Sequence, residues 1–89
     1  MEIKRHKQFI KEFHKAKLSD SQFERFVEYI NAFMLGEALP AQSKDHKLEG
    51  KYSDCREFHI GGDMLVIYLV NELDVIVLLR IGTHSQLFR

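Results

Sequence analysis

The chain changes its hydrophobic rhythm once, near its middle. From Gln8 to Lys17 the apolar residues Phe9, Ile10 and Phe13 recur at helical spacing. The residues before them, "EIKRHKQF", alternate weakly and predict a short edge strand. Phe23, Phe26, Val27, Ile30, Phe33 and Met34 then recur at steps of three and four and predict a second helix with one apolar stripe. Ser19 or Asp20 is its N-cap, Gly36 its C-terminal signal, and Pro40 prevents continuation. Two helices joined by a short turn form an αα-hairpin. After a polar connection, "AQSKDHKLEGKYSD", the period becomes two. "CREFHI" alternates, and "MLVIYLV" and "DVIVLLRI" are continuously apolar, rich in β-branched residues. Turns at Gly61-Gly62 and Asn71-Glu72 make these runs a three-stranded antiparallel meander.

The expected fold is therefore α+β: an N-terminal short strand and a two-helix hairpin packed on one face of a C-terminal meander. With two-residue turns, Met64 falls opposite His59 and Leu79, and Asp63 opposite Ile60 and Arg80. A one-residue slip would exchange the faces.

Length adds that the 89 residues, 1–89, support one domain with one core. No apolar run is long enough to span a membrane, and the polar start "MEIKRHKQF" is not a secretory signal. A single cysteine, Cys55, makes no internal disulfide, which fits a reducing cytoplasm. No cysteine pair has zinc-finger spacing and no glycine-rich phosphate loop is present. Formal net charge is zero, so a strongly basic nucleic-acid binder is excluded. Lysine and arginine nevertheless concentrate at Lys4, Arg5, Lys7, Lys11, Lys15 and Lys17, and again at Lys44, Lys47 and Lys51. A locally basic face is compatible with a neutral whole.

Candidate chemistry gathers at one end of the sheet. His59, Asp63 and Arg80 share that end, His84 emerges there, and His46 reaches it if the preceding loop folds back. Histidine exchanges protons near neutrality and arginine fits phosphate oxygens. A metal-free ribonuclease needs such parts: one group takes the ribose 2′-OH proton, another protonates the departing 5′-oxygen, and cations stabilise the phosphorane. DNA lacks the 2′-OH. Each residue also has a plain structural reading. His46 suits a solvated loop, His59 a half-buried strand, Asp63 a turn, Arg80 an ion pair and Phe88 a core plug. Three histidines and an aspartate are also metal donors, although tight ligand pairs are lacking. A non-catalytic binding module of the same architecture is the remaining alternative.

The spaced residues carry a further signal. "KDHKLEGKY", "CREFHIGGDMLVIYLV" and "RIGTHSQLF", from Lys44 to Phe88, resemble the YafQ branch of the RelE/ParE toxin superfamily. The resemblance implies a RelE-like fold and the toxin of a bacterial type II toxin–antitoxin pair. It implies a ribosome-dependent, cofactor-free mRNA endoribonuclease that inhibits translation, with His46, His59, Asp63 and His84 catalytic and no metal. Arg80 and Phe88 would stabilise charge or touch RNA. His84 is expected as general acid, Asp63 or His59 as base, and His46 as a charge stabiliser. Implied partners are a cognate antitoxin, the ribosome and its message, and operator DNA only through the antitoxin; no membrane is implied. ParE-type relatives inhibit DNA gyrase instead, and the histidine set argues against that activity. Met64 stands where close relatives often have tryptophan, and the neutral charge departs from their usual basicity.

Overall fold

The computed structural model describes residues 1–88. Its elements follow in the order β1 (Ile3–Arg5), α1 (Lys7–Lys15), α2 (Asp20–Met34), β2 (His46–Lys47), β3 (Arg56–Gly61), β4 (Met64–Val70), β5 (Ile76–Thr83) and α3 (His84–Leu87). The strands form one sheet in the order β1-β5-β4-β3-β2. The expected meander is its centre; β1 adds a parallel edge to β5, and β2 an antiparallel edge to β3. No helix among the described residues is long and apolar enough to cross a membrane.

Local chemistry explains the helix ends. The His6 ring nitrogen Nδ1 accepts the Gln8 N–H and caps α1, giving that histidine a structural task. Ser19 and Gln22 form a reciprocal capping box at the start of α2. At its end, Gly36 N–H donates to Phe33 and Glu37 N–H to Ala32, with Gly36 at φ 71°, a left-handed terminus that glycine adopts without strain.

The sheet is buried on both faces. On one face Phe9 of α1 and Tyr29 and Phe33 of α2 pack on Phe58, Ile60, Val66, Tyr68, Ile76, Leu78 and Ile81. On the other face Cys55, Leu65, Ile67 and Leu87 form a smaller cluster, flanked by Leu48, Tyr52, Leu79 and Phe88. That face is covered by the β2–β3 connection and by the chain after β5. Burial pushes the Cys55 thiol up to about 11, aided by its contact with Asp54, so it is a poor nucleophile.

The expected register needs correction. The first turn has two residues, but they are Gly62 and Asp63, and Gly61 pairs with Met64. The second connection runs from Asn71 to Val75, with Val70 paired to Ile76. Asn71 Oδ1 accepts the N–H groups of Leu73 and Val75, so one amide side chain closes a longer loop than two residues. His59 consequently faces Leu65, Met64 faces Thr83, and Arg80 faces Ile67. β5 also carries a bulge. Arg80 pairs with Ile67 and Leu78 with Tyr68, leaving Leu79 unmatched. Leu78 and Ile81 therefore both enter the helix-side core, and Arg80 turns to the opposite face.

Candidate active site

Strand pairing assembles the first half of the site. In β3 the alternation that buries Phe58 and Ile60 under the helices sends Glu57 and His59 to the other face. β2 places His46 directly across from Glu57. His59 Nε2 lies 2.8 Å from Glu57 Oε2, and His46 Nε2 lies 3.6 Å from the same oxygen. The two imidazoles stack with ring centres 6.2 Å apart. Glu57 is only 4% exposed, an acid held inside a strand pair. His46 Nδ1 lies 2.7 Å from the Lys44 carbonyl, so it carries a proton there and Nε2 is the nitrogen turned to Glu57.

The segment bearing His46 is fixed from behind. Asp45 accepts from Tyr68 Oη at 2.6 Å and from Arg56 Nε at 3.2 Å. Burial, then the Asp45 carboxylate, raises the Tyr68 phenol above its ordinary value, and the Asp45 hydrogen bond likewise raises Arg56. Beside His59 a hollow of about 220 Å³ is lined by Arg25, Gln42, Lys44, Gly61 and Gly62. Gln22 and Arg25 donate to the Gly61 and Ile60 carbonyls and tie α2 to this end of β3. A Cβ at Gly61 (φ 120°) would lie 2.4 Å from the Arg25 guanidinium.

The second half is built by α3. Thr83 and Gln86 form a capping box, and Leu87 anchors the turn in the small core. His84 is exposed, with its ring 4.8 Å from that of Phe88, and Phe88 meets the Tyr52 ring edge-on at 5.9 Å. Arg80 is already engaged. Its Nε and Nη2 meet the Glu12 carboxylate at 3.1 and 2.6 Å, and its Nη1 donates to Tyr52 Oη at 3.2 Å. Burial works to raise the Glu12 carboxyl, but the Arg80 and Ile81 hydrogen bonds outweigh it and hold it below its ordinary value.

These halves give a stacked histidine pair beside a buried carboxylate, an exposed imidazole across the sheet and cations lining the hollow beside His59. The family model for YafQ, the bacterial toxin of type II toxin–antitoxin systems, matches residues 1–89. The chain belongs to the YafQ toxin family. Among curated relatives, a Haemophilus influenzae toxin named YafQ is 31% identical over 65 residues, which cover 70% of this chain and 64% of that protein. The matched segment is thus slightly under two thirds of that relative. The Escherichia coli "mRNA interferase toxin YafQ" is 31% identical over 64 residues, covering 70% of this chain and 68% of that one. The E. coli YafQ solved in complex with DinJ superposes with TM-score 0.83 at 26% identity, over 99% of this chain and 98% of that one. A copper-bound variant toxin from Helicobacter pylori superposes with TM-score 0.81 at 38% identity, over 98% of each.

Within this YafQ-family chain the structure brings His46 and His59 together and places Asp63 and His84 at the same end of the sheet, on adjoining turns. Asp63 is exposed, and no side chain among the described residues pairs with it. Arg80 lies further along β5, in the row of Ile67 and Glu57, and is bound by Glu12. Met64 packs with the helix-side core and lines a depression of about 420 Å³, so it lies on the face opposite His59.

Two residues escaped the sequence reading. Glu57 had a signal, since the alternation of "CREFHI" places it beside His59 on one face. Glu12 had a fainter one. It lies three residues after Phe9 and four before Ala16, on the apolar stripe of α1, where an acid requires a partner.

Proposed function

We propose that residues 1–89 act as one toxin domain that cuts messenger RNA by metal-independent acid–base chemistry and so stops translation. The observation that carries this reading is the His46–Glu57–His59 cluster, whose His59 lies two residues before Gly61, the last paired residue of β3, at the sheet end where His84 emerges. With His59 donating Nε2–H to Glu57, its Nδ1 remains free to accept the ribose 2′-OH proton. Glu57 fixes the ring and stabilises the imidazolium that forms, as a buried carboxylate does for a catalytic histidine. Asp63, free at the turn tip, is the alternative acceptor. His46 would bear positive charge toward the phosphorane, with Arg25 and Lys44 lining the hollow beside His59. His84 would protonate the departing 5′-oxygen, and Phe88 would hold that ring or stack on a base.

Reaction on a translated message would put the activity in the cytoplasm, on ribosomes. The neutral net charge leaves local cations, Lys44, Lys47 and Lys51, to meet phosphates. The partner would be an antitoxin with a DNA-binding part; the E. coli YafQ is solved in complex with DinJ.

Primer extension on a translated message after brief induction tests the reading. Wild type should give new 5′ ends in frame with codons, and His84→Ala should reduce them by about 10²–10⁴-fold. Undiminished ends with His84→Ala would remove His84 from the chemistry. Growth arrest with no new ends would indicate an action other than cleavage.

The same cluster favours one other reading. His46, Glu57 and His59 each offer a ligand atom, all within 4.8 Å of one another, a donor set suited to zinc or copper. Cleavage that persists in chelator supports the acid–base mechanism, and cleavage that needs added metal supports a metal enzyme.

A further inference from the structure

Arg80 is the basic residue that a phosphate-cutting site would claim first, yet each of its three guanidinium nitrogens already has a partner within the protein. Both Glu12 oxygens lie 3.1 Å from its Nε, and Nη2 reaches one of them at 2.6 Å. The pair is 68 residues apart in sequence, so α1 and β5 are brought together for it. Its Nη1 meets Tyr52, whose ring makes a T-shaped contact with Phe88, whose ring lies against His84. The bulge at Leu79 is what turns Arg80 toward Tyr52.

We propose that Arg80 is a positioning residue and not an RNA-binding one: Glu12 cancels its charge and fixes its fork, and the fork holds the Tyr52–Phe88 wall against which His84 stands. The proposal rests on the reading of His84 as the general acid. A guanidinium bound by a carboxylate on one side offers little net charge to a phosphate. The same ion pair gives the short helix α3 a brace that its four residues do not supply themselves. Misplacing an acid by about an ångström can cost about 10²-fold in rate.

The two roles predict opposite signs for one substitution. Glu12→Gln removes the neutralising charge. If Arg80 served RNA, its freed guanidinium would tighten binding and leave or raise the rate. If Arg80 positions His84, the rate falls and binding does not change. Single-turnover cleavage on programmed ribosomes should be measured against toxin concentration for wild type, Glu12→Gln, Tyr52→Phe and His84→Ala. Nuclear Overhauser contacts between the His84 and Phe88 rings should be recorded for the first three. Glu12→Gln is expected to lower the saturating rate by about tenfold or more, with the half-saturating concentration within about twofold of wild type, and to weaken the ring contacts. Tyr52→Phe keeps the ring and removes only the acceptor for Arg80. It is expected to lower the rate by about three- to tenfold, and it decides the matter if Glu12→Gln does not fold. An unchanged rate in Tyr52→Phe, or an unchanged or raised rate with tighter binding in Glu12→Gln, overturns the proposal. Wild-type cleavage by His84→Ala would instead overturn the assignment of His84. The ring contacts would then still report whether Glu12 and Arg80 place that side chain.

Discussion

The two halves of the site are held by different means. His46, Glu57 and His59 belong to paired strands, fall within fourteen residues of sequence (46–59), and are fixed by backbone register over a fully buried Phe58. His84 opens a four-residue helix and is exposed, Phe88 caps its end and is half-buried, and both are secured by Leu87 and a chain of side-chain contacts that ends on α1. The first half is placed by the same forces that make the sheet. The second is placed by specific polar groups, so it can be loosened without unfolding the protein. On the proposed mechanism, this division would keep the carboxylate beside His59 rigid and leave the proton donor adjustable to the substrate.

Four measurements would break or sharpen this contrast. The largest effect is expected at Glu57. Glu57→Ala removes the acceptor that orients His59 and should slow single-turnover cleavage by about 10²–10⁴-fold; a loss under tenfold would mean that the buried acid is only structural. Next, Phe58→Ala should lower the unfolding free energy by about 3–5 kcal/mol in urea denaturation. Phe88→Ala, at the half-buried tail, should cost no more than about 1.5 kcal/mol while reducing cleavage. Equal stability losses would show that the tail is as integral as the core.

The third concerns acid. The folded-state Glu12 carboxyl lies below its ordinary value, because its hydrogen bonds to Arg80 and Ile81 outweigh the burial that would raise it. Its stabilising contribution is therefore present above the unfolded carboxyl value and is lost as pH falls through the folded one. Unfolding midpoints measured from neutral pH downward should drop less steeply for Glu12→Gln than for wild type. Parallel curves would deny Glu12 this part. The smallest effect is expected far from the site, at Asp74, whose φ of 59° lies in the left-handed region. Asp74→Gly should stabilise the fold by up to about 1 kcal/mol and leave cleavage untouched.

The contrast also explains what could be read from sequence. The meander, both helices, the Ser19 cap and the end of α2 were legible because each rests on local period and capping chemistry. The pairing of His59 with Glu57 followed from alternation in one strand, although the acid was overlooked. Register was not legible at either turn, since the first turn is Gly62-Asp63 and Gly61 pairs with Met64. The Asn71 side chain closes a longer loop than a two-residue hairpin, and the Leu79 bulge reverses the faces after Leu78; neither leaves a periodic trace. Burial of the second sheet face was missed because its cover is the irregular segment around Leu48 and Tyr52 and one short helix. The Glu12–Arg80 pair could not be found from either end of the chain alone.

β1 has three residues and pairs with β5 only as far as Leu78. Beyond that point the outer rim of β5 has no neighbouring strand among the described residues, and an unpaired rim is a template for joining another chain. Glu12 occupies the Ile81 N–H on that rim and sets a carboxylate beside it. The acid on α1 is therefore also a guard against edge-to-edge aggregation, and loss of it should show first as reduced solubility at high expression.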